Sequence, residues 1–302
     1  MSLVPQRRTM QADSFPFSLS APTGDGAPIW TGEGFRLADG SLVPVLAYPV
    51  GASGWSDDLT GLHEESAGDR HYIDVASRRH TLTELSRHLR VVRPVIMEVG
   101  CSSGYFLADL TRELPEAFAI GADYVLGPLE ALAKKRPNLP LLRFDLANCP
   151  LPDVCLDGLV ALNVLEHIED DQAALSHIYR SLKPGGVAVL EVPAGPELFD
   201  PYDKALMHHR RYALEELTAK AKATGFSIIS ASHLGFLLYP AFALVKRRNQ
   251  RKGAADVKAN IAVSAGDNPL LHLLMQIEDG LRRLVPLPFG IRCLVTARRP
   301  LE

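Results

Sequence analysis

Three acidic residues close successive short apolar runs: Glu98 in VIMEVG, Asp123 at the end of AFAIGAD, and Asp145 at the end of LPLLRFD. After the first comes Gly100-Cys101-Ser102-Ser103-Gly104, a loop whose glycines let backbone approach a ligand closely and let a following helix start tight against a strand. A phosphate cradle would need GxxxxGK with Ser or Thr next, and no lysine follows here. Asp123 stands 19 residues after Gly104, where an acceptor-only carboxylate can take both hydroxyls of an adenosine ribose. The alternative is an Asp that caps the next helix. Asp145, with the backbone beside it, can read an adenine edge, or serve as a turn residue ahead of proline.

Two further stretches carry titratable groups. LNVLEHIED (162–170) ends a fourth apolar run with Asn163, Glu166 and His167. DPYDKALMHHRRYALEEL (200–217) sets His208, His209, Arg210, Arg211 and Tyr212 side by side ahead of a helix. Histidine titrates near neutrality, so His208 or His209 suits a base or an acceptor-orienting group, and Arg210 or Arg211 suits an anionic part of a substrate. The arginines could instead pair with Asp200, Asp203 or Glu215 and lock the loop. No HxxxH pair marks one helical face, and no metal is expected.

The elements that must hold these groups follow from hydrophobic patterning. Runs at 95–99, 117–123, 139–145, 157–163 and 187–193 read as strands buried on both faces, and 105–114, 127–135 and 171–182 as amphipathic helices between them. Such alternation implies right-handed βαβ units and a parallel sheet covered on both sides, a doubly wound α/β fold. A helix at 214–226 stopped by Gly225, a strand at 226–235 and a late strand at 290–300 complete it. Between the last two strands, about 236–289 reads as a helical cap: an apolar helix, the basic run KRRNQRK, a small-residue stretch and a second helix at 270–284. Upstream, residues 1–28 read as a loose arm. Residues 29–93 read as a lid or support with a hairpin around Asp39-Gly40 and a helix at 75–90.

The formal net charge of −3 gives no global attraction to polyanions, so a nucleic-acid partner is not expected beyond the 246–252 run. Four cysteines without a CxxC pair favour a reducing compartment, and the N-terminus lacks a signal-peptide apolar region; a cytoplasmic protein is expected. Apolar helices joined to basic residues in the cap suggest peripheral contact with an anionic inner membrane surface, against the plainer reading of a buried cap helix and solvated loop.

Taken together, EVGCSSG (98–104), GAD (121–123), FDLANCPLP (144–152), NVLEHIED (163–170) and LKPGGVAVLEVP (182–193) resemble the class I S-adenosylmethionine-dependent methyltransferases, in particular their broad small-molecule group. The resemblance covers roughly 94–235 and the last strand, and extends to HHRRY through the family's similar HxRRY. It implies a Rossmann-like seven-stranded sheet with an antiparallel final strand, and S-adenosylmethionine as cofactor. It implies that Gly100, Cys101 and Ser102 line the methionine part, with Glu98, Gly104 and Tyr124 in the same set. Asp123 would hold the ribose, Asp145 with Leu146 the adenine, and Asn163 would lie beside the sulfonium. His167, Arg210, Arg211 and Tyr212 would meet the acceptor. The expected activity is O-methylation of a small-molecule, glycan or lipid-linked acceptor. A non-catalytic nucleotide-binding module and an NAD-dependent oxidoreductase are the alternatives.

Overall fold

The computed structural model describes residues 14–24, 26–51, 69–251 and 268–302. Small strands β1 (Ile29–Trp30), β2 (Phe35–Arg36) and β3 (Leu42–Val43) form an antiparallel sheet of their own, and β2 and β3 make the hairpin expected around Asp39-Gly40. Strand β4 (Val45–Ala47) leaves that sheet for the central one, and helix α1 spans Tyr72–His88. There follow β5 (Val95–Val99), α2 (Tyr105–Glu113), β6 (Phe118–Asp123), α3 (Leu126–Lys135), β7 (Leu141–Arg143), β8 (Leu156–Leu162), α4 (Asp171–Ser181) and β9 (Leu182–Pro193). The chain ends with α5 (Pro201–Ala205), α6 (Leu214–Thr224), β10 (Ser227–Leu234), α7 (Tyr239–Asn249), α8 (Pro269–Arg282) and β11 (Arg292–Arg298).

The central sheet has the order β10-β11-β9-β8-β5-β6-β7-β4. Strands β4 to β9 pair in parallel, whereas β11 runs antiparallel to both β9 and β10. This is the expected doubly wound α/β sheet with its antiparallel last strand inserted beside the edge. The eighth strand is an addition: β4, three residues long, extends the far edge from the segment expected to form a lid.

Both faces of the sheet are covered, as the unbroken apolar runs require. Val95, Met97 and Val99 of β5 join one core cluster with Leu175 and Ile178 of α4 and Leu217 of α6, while Ile96 joins the other with Phe106 and Leu110 of α2, Leu129 of α3 and Leu85 of α1. Helix α1 is therefore a core layer, tied to the sheet by Ser77 Oγ donating to Glu191 at 2.6 Å and Ser230 Oγ to Glu84 at 2.9 Å.

The described part of the expected loose arm is docked rather than loose. Phe15 packs edge-on against Phe17, Phe35 and Phe118, Leu19 is buried, and Tyr48 donates to the Ser20 carbonyl. Aromatic spacing too short to show a period supplies that burial. The cap helices stand as α7 and α8, and most of the small-residue stretch between them, 254–267, lies outside the described residues, as does Lys252 of the basic run.

Candidate active site at the carboxyl edge of the sheet

The loop after β5 turns back on its own scaffold. Gly100 and Cys101 N–H both donate to the Ala122 carbonyl at the end of β6, and Ser102 N–H donates to Asp123 Oδ2 at 2.9 Å. Gly100 has φ +78° and a Cβ there would lie 2.5 Å from Val164, so the glycine admits the neighbouring β8 turn. Ser102 holds φ +44°, a left-handed conformation that costs an L side chain about 1–2 kcal/mol. The Cys101 side chain points inward, 3.1 Å from where a Cβ on Gly121 would stand, and burial pushes its thiol well above the ordinary range. Any ligand contact at this position is made by backbone.

Asp123 ends β6 nearly buried, accepting from Ser102 N–H on one oxygen and Val125 N–H on the other. These bonds fix its orientation. Glu98 is buried behind the loop, and its Oε2 makes no hydrogen bond among the described residues. Burial, with the nearby Asp123 charge, pushes its carboxyl well above the usual range. Tyr124 donates to the Gly51 carbonyl. Asp145 caps the short turn Leu146–Asn148 by accepting from Ala147 N–H, so its turn role is present, and Leu146 is buried against the core.

Asn163 follows β8 with φ +55°, and its N–H donates to the Glu191 carbonyl while its side chain donates to Glu191 Oε1. Glu191 is fully buried and also accepts from Ser77 and from Arg292 Nη1, which in turn pairs with Asp74. This buried network of α1, β9 and β11 positions Asn163 and was not visible as a site in the sequence. Only the alternation of charge within apolar runs, as in LEVP, hinted at it.

The turn Leu165–His167 and the segment 208–212 are docked together. His209 N–H donates to the Glu166 carbonyl at 2.8 Å, the His167 and His208 rings stand 4.7 Å apart edge to face, and Tyr212 bridges to Ala194 beyond β9. His208 is oriented through Nδ1, 3.1 Å from Asp203 Oδ1. Burial lowers its imidazole below the ordinary value, partly countered by Asp203. His209 is exposed.

Asp203, one of the carboxylates that the sequence offered as partners for the arginines, is the hub of this segment. It accepts Arg211 Nε at 2.9 Å on both oxygens, Lys246 Nζ at 2.8 Å, and the Asp200 N–H. Although burial opposes ionisation, hydrogen bonds from His208 and Arg211 and the charges of Arg211 and Lys246 hold its carboxyl far below the usual carboxylate range. Arg211 therefore locks the loop, the alternative its sequence position left open, and Arg210 does so through the Glu169 carbonyl and Asp171. Tyr212 requires a correction. It is fully enclosed, donates to Asp171 Oδ2 and lies against the Leu165 carbonyl, so it is a core residue and not one that meets an acceptor. Lys246, read as part of a solvated basic run, is likewise buried between Asp200 and Asp203.

Comparison with known proteins agrees with this geometry. Residues 97–190 match the family described as a methyltransferase domain. Residues 97–190 thus carry a domain similar to those of S-adenosylmethionine-dependent methyltransferases. The chain is 30% identical over 156 residues to a probable S-adenosylmethionine-dependent methyltransferase of Mycolicibacterium smegmatis, covering 50% of this chain and 59% of that one. It is 27% identical over 197 residues to a malonyl-[acyl-carrier protein] O-methyltransferase of Dechloromonas aromatica, covering 61% and 72%. The matched stretch spans little more than half the length of the first curated relatives. A putative sarcosine dimethylglycine methyltransferase from Galdieria sulphuraria shares the fold with a TM-score of 0.56 at 15% identity, over 81% of this chain and 99% of that one. The dehydrogenase and non-catalytic readings are not favoured by these matches.

The residues present fit S-adenosylmethionine, the methyl donor of these relatives. Glu98 Oε2 is a buried acceptor without a hydrogen-bond partner among the described residues, suited to the ammonium of a methionine moiety, and Asp123 is an oriented acceptor for ribose hydroxyls. No helix among the described residues is long and apolar enough to cross a membrane.

Proposed function

We propose that the protein transfers a methyl group from S-adenosylmethionine to an oxygen of a small-molecule, glycan or lipid-linked acceptor. The methyl donor supplies a sulfonium-activated methyl group, so the protein's task is mainly to hold donor and acceptor in line. Glu98 and the backbone of Gly100 to Ser102 hold the methionine part, Asp123 the ribose, and Asp145 with Leu146 the adenine. Asn163, fixed by Glu191, borders the reacting centre.

The observation that carries the oxygen-directed reading is the Asp203–His208 pair beside the Leu165–His167 turn. A neutral imidazole, held by a carboxylate on Nδ1, offers its other nitrogen to an acceptor hydroxyl and takes its proton as the methyl group moves. The proton ends on His208 and the C–S electron pair on sulfur. Exposed Leu244 and Val245 on α7, Leu273 and Ile277 on α8, and exposed Arg247, Arg248 and Arg251 support an amphipathic acceptor presented at an anionic lipid surface.

The test is transfer of labelled methyl groups to a panel of hydroxyl-bearing amphiphiles and glycans, with amines as comparison. His208→Ala is expected to lower turnover about 10²–10⁴-fold while leaving S-adenosylhomocysteine affinity unchanged. Transfer to amines alone, or undiminished turnover in His208→Ala, would refute the oxygen-directed mechanism.

A further inference from the structure

We propose that Glu166, His167 and His208 form a binding site for a divalent transition-metal ion, zinc being the ion their chemistry suits best. Each side chain offers one ligand atom, and the three atoms lie within 4.8 Å of one another. Glu166 and His167 come from the turn after β8, and His208 is delivered to them by the docking of the 208–212 segment. No ion is needed to bring the elements together.

Glu166 is the independent observation. It has no solvent exposure, and neither of its carboxylate oxygens has a hydrogen-bond partner among the described residues. A buried carboxyl left so is costly, and native interiors seldom keep one without a reason. The basic groups nearest in influence, Arg292 and Arg211, are already committed to Glu191 with Asp74 and to Asp203. A cation at the centre of the three ligand atoms would satisfy the carboxylate directly.

The surroundings match a metal site beyond its ligands. With Nδ1 of His208 held by Asp203, Nε2 is the nitrogen left to coordinate, the carboxylate–histidine–metal arrangement that fixes ring orientation and raises ligand basicity. Asp203 is itself held by Arg211 and Lys246. Two imidazoles and one carboxylate are the ligand set of open zinc sites, whereas magnesium and calcium favour oxygen alone. Ligand bonds of about 2.0–2.2 Å put tetrahedral ligand atoms about 3.3 Å apart, so binding draws the side chains inward by rotation.

A fourth position stays open for water or an acceptor oxygen. Metal and proton compete for the same His208 nitrogen. His208 is a base only in the metal-free protein; in the loaded one the acceptor hydroxyl loses its proton to bulk water, its acidity raised by the ion.

The experiment uses the full chain, free of any histidine tag and stripped with a chelator. Zinc chloride is titrated in competition with a chromophoric chelator, cobalt(II) chloride is titrated with its visible d–d absorption followed, and crystals soaked in zinc are examined for anomalous scattering. One equivalent is expected, with an anomalous peak between the three side chains. Affinity should fall at least hundredfold in both Glu166→Gln and His208→Ala, each checked for native circular dichroism, and stay unchanged in His209→Ala. The absence of a peak between these residues, or undiminished binding in both variants, would overturn the site. Binding is read without methyl donor or acceptor, so its failure leaves the methyl-transfer reading standing and the reverse also holds.

Discussion

Replacing Asp203 with Asn tests whether the buried charge cluster holds the 200–212 segment. Asp200 and Asp203 carry two negative charges, and Arg211 and Lys246 two positive ones, all of them buried. The rings of Phe242 and Tyr202 cover the cations, with Lys246 Nζ 5.2 Å from the Tyr202 centroid and the Arg211 guanidinium carbon 5.5 Å from that of Phe242. The Asn variant keeps the shape but leaves one positive charge uncompensated. Breaking a buried pair in this way costs about 3–5 kcal/mol. For a chain of this length that lowers Tm by about 5–8 °C. Adding Lys246→Met restores the balance between Asp200 and Arg211, and the double variant should regain more than half of the loss. Urea and thermal unfolding followed by circular dichroism measure both steps. An Asp203→Asn loss below about 1 kcal/mol, or a double variant no more stable than the single one, would show that the cluster does not work as a balanced unit.

Two further outcomes are expected. Ser102→Gly relieves left-handed strain of about 1–2 kcal/mol and returns about 0.5–1 kcal/mol as added backbone entropy, so stability should stay within about 1 kcal/mol of the parent. If the Ser102 hydroxyl serves the methionine moiety, calorimetry should show S-adenosylhomocysteine binding weakened about five- to tenfold, and unchanged affinity would remove that role. Glu98 has a folded-state pKa above its unfolded one, so its contribution to stability is complete below the unfolded value and is lost as pH rises through the folded one. Glu98→Gln should therefore gain on the parent in denaturation midpoint as pH rises above the ordinary carboxyl range, and equal slopes would refute the burial argument.

The sheet was legible because every long strand is a continuous apolar run, and a parallel sheet demands that pattern. β4 was not, because three residues after Pro44 carry no period and pair only through the distant β7. Within the site, the Gly100–Gly104 loop and Asp123 stood out by local spacing. Glu166 did not, since its lack of partners depends on the packing of 208–212 over it. Nor did Lys246, whose burial against Asp200 and Asp203 contradicts the basic run around it. Arg292 and Asp74 meet across 218 positions of sequence, a pairing no local pattern encodes.

The place of β11 also bears on synthesis. β9 ends at Pro193 and β10 at Leu234, yet both take their partner from a strand that begins only at Arg292. At about 5–20 residues per second the ribosome needs roughly 5–20 s to reach that strand after finishing β9. Through that interval the nascent chain carries two strands with open hydrogen-bonding edges, the arrangement that templates aggregation. The strand that begins at Arg292 thus acts as the seal of the sheet, and a ribosome that stalls before it releases a product bearing an unsealed edge.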